Sequence, residues 1–181
     1  TFKKIVKQIR IIIQYSLEIE KKEAGYKVAL IGLPNAGKST LFNRLVGKDR
    51  AIVTNIKGTT RDVIESQLSF KGAPITLYDT AGYRKTDDKI EKMGVGKTID
   101  CARNADVIVF IDEHDPIKQY EQFAKNFDGI KKINKVLVRS KNDLVANRVL
   151  TSEYIGVSSK NDKGIKDLLT NLLTTIKSMS N

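Results

Sequence analysis

Eight consecutive residues, Gly32-Leu33-Pro34-Asn35-Ala36-Gly37-Lys38-Ser39, follow the spacing G-x-x-x-x-G-K-[ST]. The glycines let a loop fold back so that its backbone N–H groups wrap phosphate oxygens. A helix opening at Lys38 would turn a partly positive N-terminus toward the same oxygens, so Asn35, Ala36, Gly37 and Thr40 belong with the cradle. Lys38 carries a point charge suited to the β- and γ-phosphates, and the Ser39 hydroxyl suits Mg2+. A chance glycine turn is the ordinary alternative, but the motif follows an apolar strand and precedes a helical pattern, as a phosphate loop requires. Gly96-Lys97-Thr98 resembles a second copy. Its first glycine would fall on Glu91, and the segment is helical in pattern, so it reads as plain helix.

Four more elements follow in the order expected of a GTPase. Gly58-Thr59-Thr60-Arg61-Asp62 precedes a strand, and a threonine hydroxyl there, Thr60 above all, completes Mg2+ coordination while a γ-phosphate is present. In Asp79-Thr80-Ala81-Gly82 the carboxylate suits a water bound to Mg2+, and the Gly82 N–H suits the γ-phosphate. Ser140-Lys141-Asn142-Asp143 stands where N-K-x-D would recognise a base. Asp143 accepts from both guanine N1–H and N2–H2, a pair adenine lacks, and Lys141 lays its stem along the base. Ser140 departs from the usual asparagine, and the lost hydrogen bond costs roughly 1 kcal/mol of affinity. Val157-Ser158-Ser159-Lys160 fits the last element, whose backbone meets guanine O6. GTP and GDP are therefore the expected ligands.

Many small GTPases carry a glutamine after D-x-x-G to orient the attacking water; here the residue is Tyr83. Phosphoryl transfer rests on positioning and charge neutralisation, so a carboxyl or amide and a cation must stand in. Glu91 is the nearest candidate for the water, against its plainer reading as a solvated glutamate at a helix start.

The elements that must hold these groups alternate in type. Apolar or alternating runs at 26–32, 63–70, 75–78, 107–111, 136–138 and 154–157 read as strands. Segments 38–46, 88–102, 117–127 and 164–176 read as helices, and Gly72 turns a hairpin. On one strand Ile64 and Leu68 share a side. The expected fold is α/β, a P-loop, Ras-like G domain with a mainly parallel sheet of about six strands and one antiparallel hairpin. Residues 1–24 form a separate amphipathic helix with Ile5, Ile9, Ile12, Ile13 and Leu17 on one stripe, and 25–181 the G domain. With no initiator Met and a start inside a helical pattern, the chain is expected to be an excised fragment whose leading helix packs elsewhere; charges interrupt its apolar run, so it is not read as a signal peptide.

Among the 181 residues, 32 Lys and Arg against 21 Asp and Glu give a formal charge of +11. The lysines are dispersed without interleaved aromatics, which fits background composition better than a dedicated RNA surface. The single cysteine, Cys101, excludes an internal disulfide and fits a reducing cytoplasm. No apolar run reaches the roughly 18 residues of a membrane span.

GLPNAGKS, TNIKGTTRD and DTAGYR followed by Ile90-Glu91-Lys92-Met93-Gly94, over nearly the whole chain, resemble the G domains of the MnmE (TrmE) family of tRNA-modification GTPases. The phosphate loop and GTTR are shared with Era and Der ribosome-assembly GTPases; the segment from Asp79 to Gly94 and the leading helix favour MnmE. The resemblance implies a K+-activated enzyme in which Asn35, Thr54, Ile56 and Thr59 hold the ion where other GTPases receive an arginine finger. Ser39 and Thr60 hold Mg2+, Glu91 orients water indirectly, and Arg61 matches a family position in the same switch. Lys38, Thr60, Arg61 and Glu91 are thus the implied catalytic set. A second G domain pairing across the switches, MnmG and, indirectly, tRNA are the implied partners. The family's folate-binding domain and C-terminal cysteine motif are not in these residues. An Era- or Der-type GTPase and a non-catalytic nucleotide-binding module remain the alternatives, with an ATP-using P-loop enzyme more remote.

Overall fold

The structure is a computed structural model that describes residues 2, 5–10, 12, 25–48, 63–80, 89–144 and 152–179, with the backbone alone at 48, 63 and 89–93. Its strands are β1 (Tyr26–Gly32), β2 (Val63–Phe70), β3 (Ala73–Thr80), β4 (Val107–Asp112), β5 (Asn134–Arg139) and β6 (Ile155–Gly156). Its helices are α1 (Lys38–Lys48), α2 (Lys89–Arg103), α3 (Pro116–Asn126) and α4 (Ile165–Ser178). The strands form one sheet in the order β2-β3-β1-β4-β5-β6. Among the described strands only β2 with β3 is antiparallel; the other four pairings are parallel. The expected Ras-like α/β architecture is thus the observed one.

The central strands read as unbroken apolar runs because both of their faces are covered. Along β1, Val28 and Leu30 join one core cluster, and Ala29 and Ile31 the other. β4 repeats the alternation, Val109 and Ile111 on one side, Ile108 and Phe110 on the other. Leu41, Phe42 and Leu45 of α1 share the first cluster with Leu168, Leu169 and Leu172 of α4. Ile99 of α2 and Tyr120 and Phe123 of α3 lie in the second. Two helices therefore cover each face.

Local chemistry sets several boundaries. Asp115 caps α3, its side chain accepting from Lys118 N, and Pro116 opens the helix where a missing N–H does no harm. Lys71 and Gly72, both at positive φ, join β2 to β3. With Phe70 opposite Ala73 this is a two-residue hairpin turn whose twist matches the strands it joins. Gly25, where the leading helix was expected to stop, has φ of 76°.

Two expectations shift. The last strand is only Ile155–Gly156, because Val157 and Ser158 leave the ladder to form the loop before α4. Ile64 is 62% exposed while Leu68 is buried; β2 is the edge strand, and cover reaches Ser66 and Leu68 but not its start. Residues 5–10 are helical, and Phe2, Ile5, Ile9 and Ile12 are all exposed. Ile13 and Leu17 lie outside the described residues.

Candidate nucleotide site

The sheet changes direction of growth at β1, which has β3 on one side and β4 on the other. Ligands of doubly wound sheets sit beyond the carboxyl ends of the strands at such a switch point. Gly32 to Gly37 leave β1 there. Gly32 has no room for a side chain, since a Cβ would fall 2.2 Å from the Ile111 carbonyl oxygen. Asn35 and Gly37 adopt positive φ, 63° and 91°, and turn the loop toward α1. Ala36 N donates to Leu33 O at 3.3 Å and Leu41 N to Gly37 O at 2.9 Å, closing the loop and opening the helix.

Lys38 is buried, with Nζ donating to Leu33 O at 2.8 Å. Desolvation lowers its pKa, and the charge of Asp79 partly offsets that. Asp79, at the end of β3, is 6% exposed. Burial raises its pKa against the opposing pull of a hydrogen bond from Ser39 and the charge of Lys38. One of its oxygens, Oδ1, has no hydrogen-bond partner. A hydroxyl beside a buried carboxylate with a spare oxygen is a donor set that fits Mg2+ with its waters. Among the described residues no group of three or more His, Cys, Asp or Glu could hold a metal ion. Thr80 turns the other way, its hydroxyl donating to Leu30 O at 2.7 Å, and so ties β3 to β1.

The residues expected to recognise the base gather at the ends of β5 and β6. Ser140 N donates to Asp112 O at 2.9 Å and Asn142 N to Val157 O at 3.1 Å, which holds the S-K-N-D turn against its neighbours. Ser140 is 8% exposed, and its Oγ has no hydrogen-bond partner. A Cβ on Gly37 would stand 3.7 Å from that of Ser140, so this residue backs the phosphate loop. Asp143 is exposed, and its pKa is lowered, first by a hydrogen bond from Ser158, then by a backbone N–H and the charges of Lys160 and Lys163. It is a carboxylate ready to accept at neutral pH. Ser158 is fully buried, its N donating to Lys163 O, which lifts Ser159 and Lys160 into a turn beside Asp143.

Thus Asn35, Ala36, Gly37, Lys38, Ser39, Thr40 and Asp79 assemble around one loop, and Ser140, Lys141, Asp143, Ser158, Ser159 and Lys160 around the next strand ends. Glu91 falls in the first turn of α2. Thr54, Ile56, Thr59, Thr60, Arg61, Ala81, Gly82 and Tyr83 lie outside the described residues. Gly96-Lys97-Thr98 is interior to α2, with Thr98 Oγ1 donating to Gly94 O, as a plain helix requires. Cys101 is partly buried and its thiol is pushed up to about 11 by desolvation, a packing residue.

Three groups escaped the sequence reading. Asp112, Glu113 and the Arg44–Asp162 pair all hold segments of the candidate base site. Arg44 of α1 makes a two-pronged ion pair with Asp162 in the loop after Ser158. The partners are 118 residues apart, and no local signal joins them.

This fold and site define a P-loop GTPase. The family model described as 50S ribosome-binding GTPase matches residues 27–157, and the chain belongs to that family. It is similar to the tRNA modification GTPase MnmE of Treponema denticola, 42% identical over 162 residues, covering 80% of this chain and 34% of that protein. It is similar also to MnmE of Lachnoclostridium phytofermentans, 38% identical, covering 90% and 37%. The resemblance to MnmE drawn from the motifs is thereby borne out, and the chain spans about a third of the length of these curated relatives. Among solved structures, Era in complex with MgGDPNP and a segment of 16S ribosomal RNA has a TM-score of 0.66 at 25% identity, covering 83% of this chain and 56% of that one.

Proposed function

We propose that this chain is the guanine-nucleotide switch of a tRNA wobble-uridine modification GTPase, hydrolysing GTP with Mg2+ and activated by K+. The observation that carries the proposal is the buried Asp79, hydrogen-bonded to Ser39 beside Lys38 and keeping one oxygen free at the mouth of the phosphate loop. The similarity to MnmE supports the tRNA role, and the MgGDPNP held by Era supports the metal.

Lys38 and the amides of residues 35–40 bind the phosphates. Ser39 and Thr60 would hold Mg2+, which supplies charge for the developing transition state, with Asp79 accepting from its waters. Asn35, Thr54, Ile56 and Thr59 would hold K+, which would supply positive charge in place of an arginine finger. Glu91 orients the attacking water indirectly, with Arg61 in the same switch. Thr60 and the Asp79-to-Gly82 loop respond to the γ-phosphate, and two such domains pair across these switches when GTP is bound. In the whole protein the partners are MnmG and, through it, tRNA in the cytoplasm.

The test is GTP hydrolysis with Mg2+ in KCl and, at equal ionic strength, in NaCl. Turnover is expected in K+ and falls about a hundredfold in Na+ and on Glu91→Ala or Asn35→Ala. Equal rates in the two salts remove the K+ site. Bound guanine nucleotide without turnover in either salt makes the chain a binding module. Tight, salt-sensitive rRNA binding in the GTP state favours an Era-type role.

A further inference from the structure

Lys141 belongs to the base-recognition motif, but the motif does not say what holds it. Its backbone is at φ of 51°, a left-handed conformation that a lysine seldom adopts. Its side chain is not left to wander: Nζ donates to Glu113 Oε2 at 2.6 Å. Glu113 sits in the turn between β4 and α3, and that turn is built for presentation. Asp112 is buried, and its Oδ1 accepts from His114 N at 2.8 Å and Asp115 N at 2.7 Å, which bends the chain and points Glu113 across to β5. The Asp112 carbonyl accepts from Ser140 N, so the turn and the S-K-N-D segment are fixed to each other.

At the neighbouring position Ser140 contributes a short side chain whose hydroxyl finds no partner. Glu113 and Lys141 are 34% and 40% exposed, and ion pairs so open to water add little to folding. What such a contact does supply is restriction of a long, flexible stem before the ligand arrives, which lowers the entropy lost on binding.

From this geometry we infer that Glu113 is a positioning residue for guanine recognition, acting through Lys141, in a site where Ser140 replaces the usual asparagine. The inference rests on the guanine reading above. Glu113 restrains Lys141 so that its methylene stem lies along the purine face, and does not itself touch the nucleotide.

The test is a double-mutant cycle read by equilibrium titration of a fluorescent GDP analogue with Mg2+. Glu113→Gln is expected to weaken binding about fivefold to tenfold, near the loss from Lys141→Met. The double variant binds no worse than Lys141→Met alone, because the carboxylate acts only through that lysine. Glu113→Asp recovers part of the loss, and all variants keep the nucleotide-free melting temperature of the parent. Affinity of Glu113→Gln within twofold of the parent overturns the inference. So does a loss that adds in full to that of Lys141→Met, or one tracked by a lower melting temperature. A parent chain that binds the ADP analogue as well as the GDP analogue takes down the guanine reading itself, and this inference with it.

Discussion

Asp79 is buried with a raised pKa and an unpartnered oxygen, a poor arrangement for folding and a good one for a hydrated cation. Asp79→Asn should therefore stabilise the nucleotide-free chain by about 1 kcal/mol at neutral pH, the order of an unsatisfied buried group. The sign follows from the raised pKa: the charged carboxylate is less favourable in the folded state than in the unfolded one. The gain is full above the raised folded-state value, shrinks as pH falls through it, and vanishes below the ordinary carboxylate range. Thermal melts across pH check this, and an unchanged or lower melting temperature at neutral pH refutes it. The same variant should lose Mg2+-dependent GTP turnover. Ser140→Asn is expected to act in the opposite sense on affinity, tightening GDP binding about fivefold by supplying the missing amide. An affinity that falls would mean the wall at Gly37 cannot take the larger side chain.

At the scale of elements, the Arg44–Asp162 pair spans α1 and the loop that carries Ser158 to Lys160. It joins the helix that follows the phosphate loop to the loop proposed to meet the base. Arg44→Ala is expected to speed amide exchange across residues 158–164 and to weaken GDP binding a few-fold with little change in melting temperature, since the pair is half-exposed. Exchange that stays as slow as in the parent removes the coupling. Gly164 is a different kind of junction: at φ of 75°, it opens α4, and a Cβ there would fall 2.1 Å from Gly156 O. Gly164→Ala must push β6 away and should destabilise the chain by about 2 kcal/mol or more, measurable by denaturant unfolding.

For the molecule as a whole, both core clusters are built mainly from the sheet and its four helices, and among the described residues none before Tyr26 enters either. The leading helical residues expose Phe2, Ile5, Ile9 and Ile12 instead. Removing residues 1–24 should leave the melting temperature and GDP affinity of the remainder unchanged and reduce self-association, read by light scattering. A remainder that fails to fold would show that the segment contributes to the core.

The motifs by themselves determine the class of chemistry, because a phosphate loop needs particular residues at fixed local spacing, and Gly32, Gly37, Lys38 and Ser39 lie within one short stretch of backbone and helix start. The order of strands and helices was legible for a similar reason, since strands buried on both faces must be continuously apolar and helices must repeat every three to four residues. The tertiary structure alone decided what lies between distant segments. Asp79 loses its water only when β3 packs beside β1, Ser140 meets Gly37 only across the sheet end, and Glu113 reaches Lys141 only because β4 and β5 are neighbours. The last strand ends early because Val157 and Ser158 have strand-like sequence but are held in the loop before α4 by partners five and eighteen residues away, at Lys163 and Arg139. Burial, charge and hydrogen bonding in this site are set by neighbours in space, and those are the quantities that local spacing does not carry.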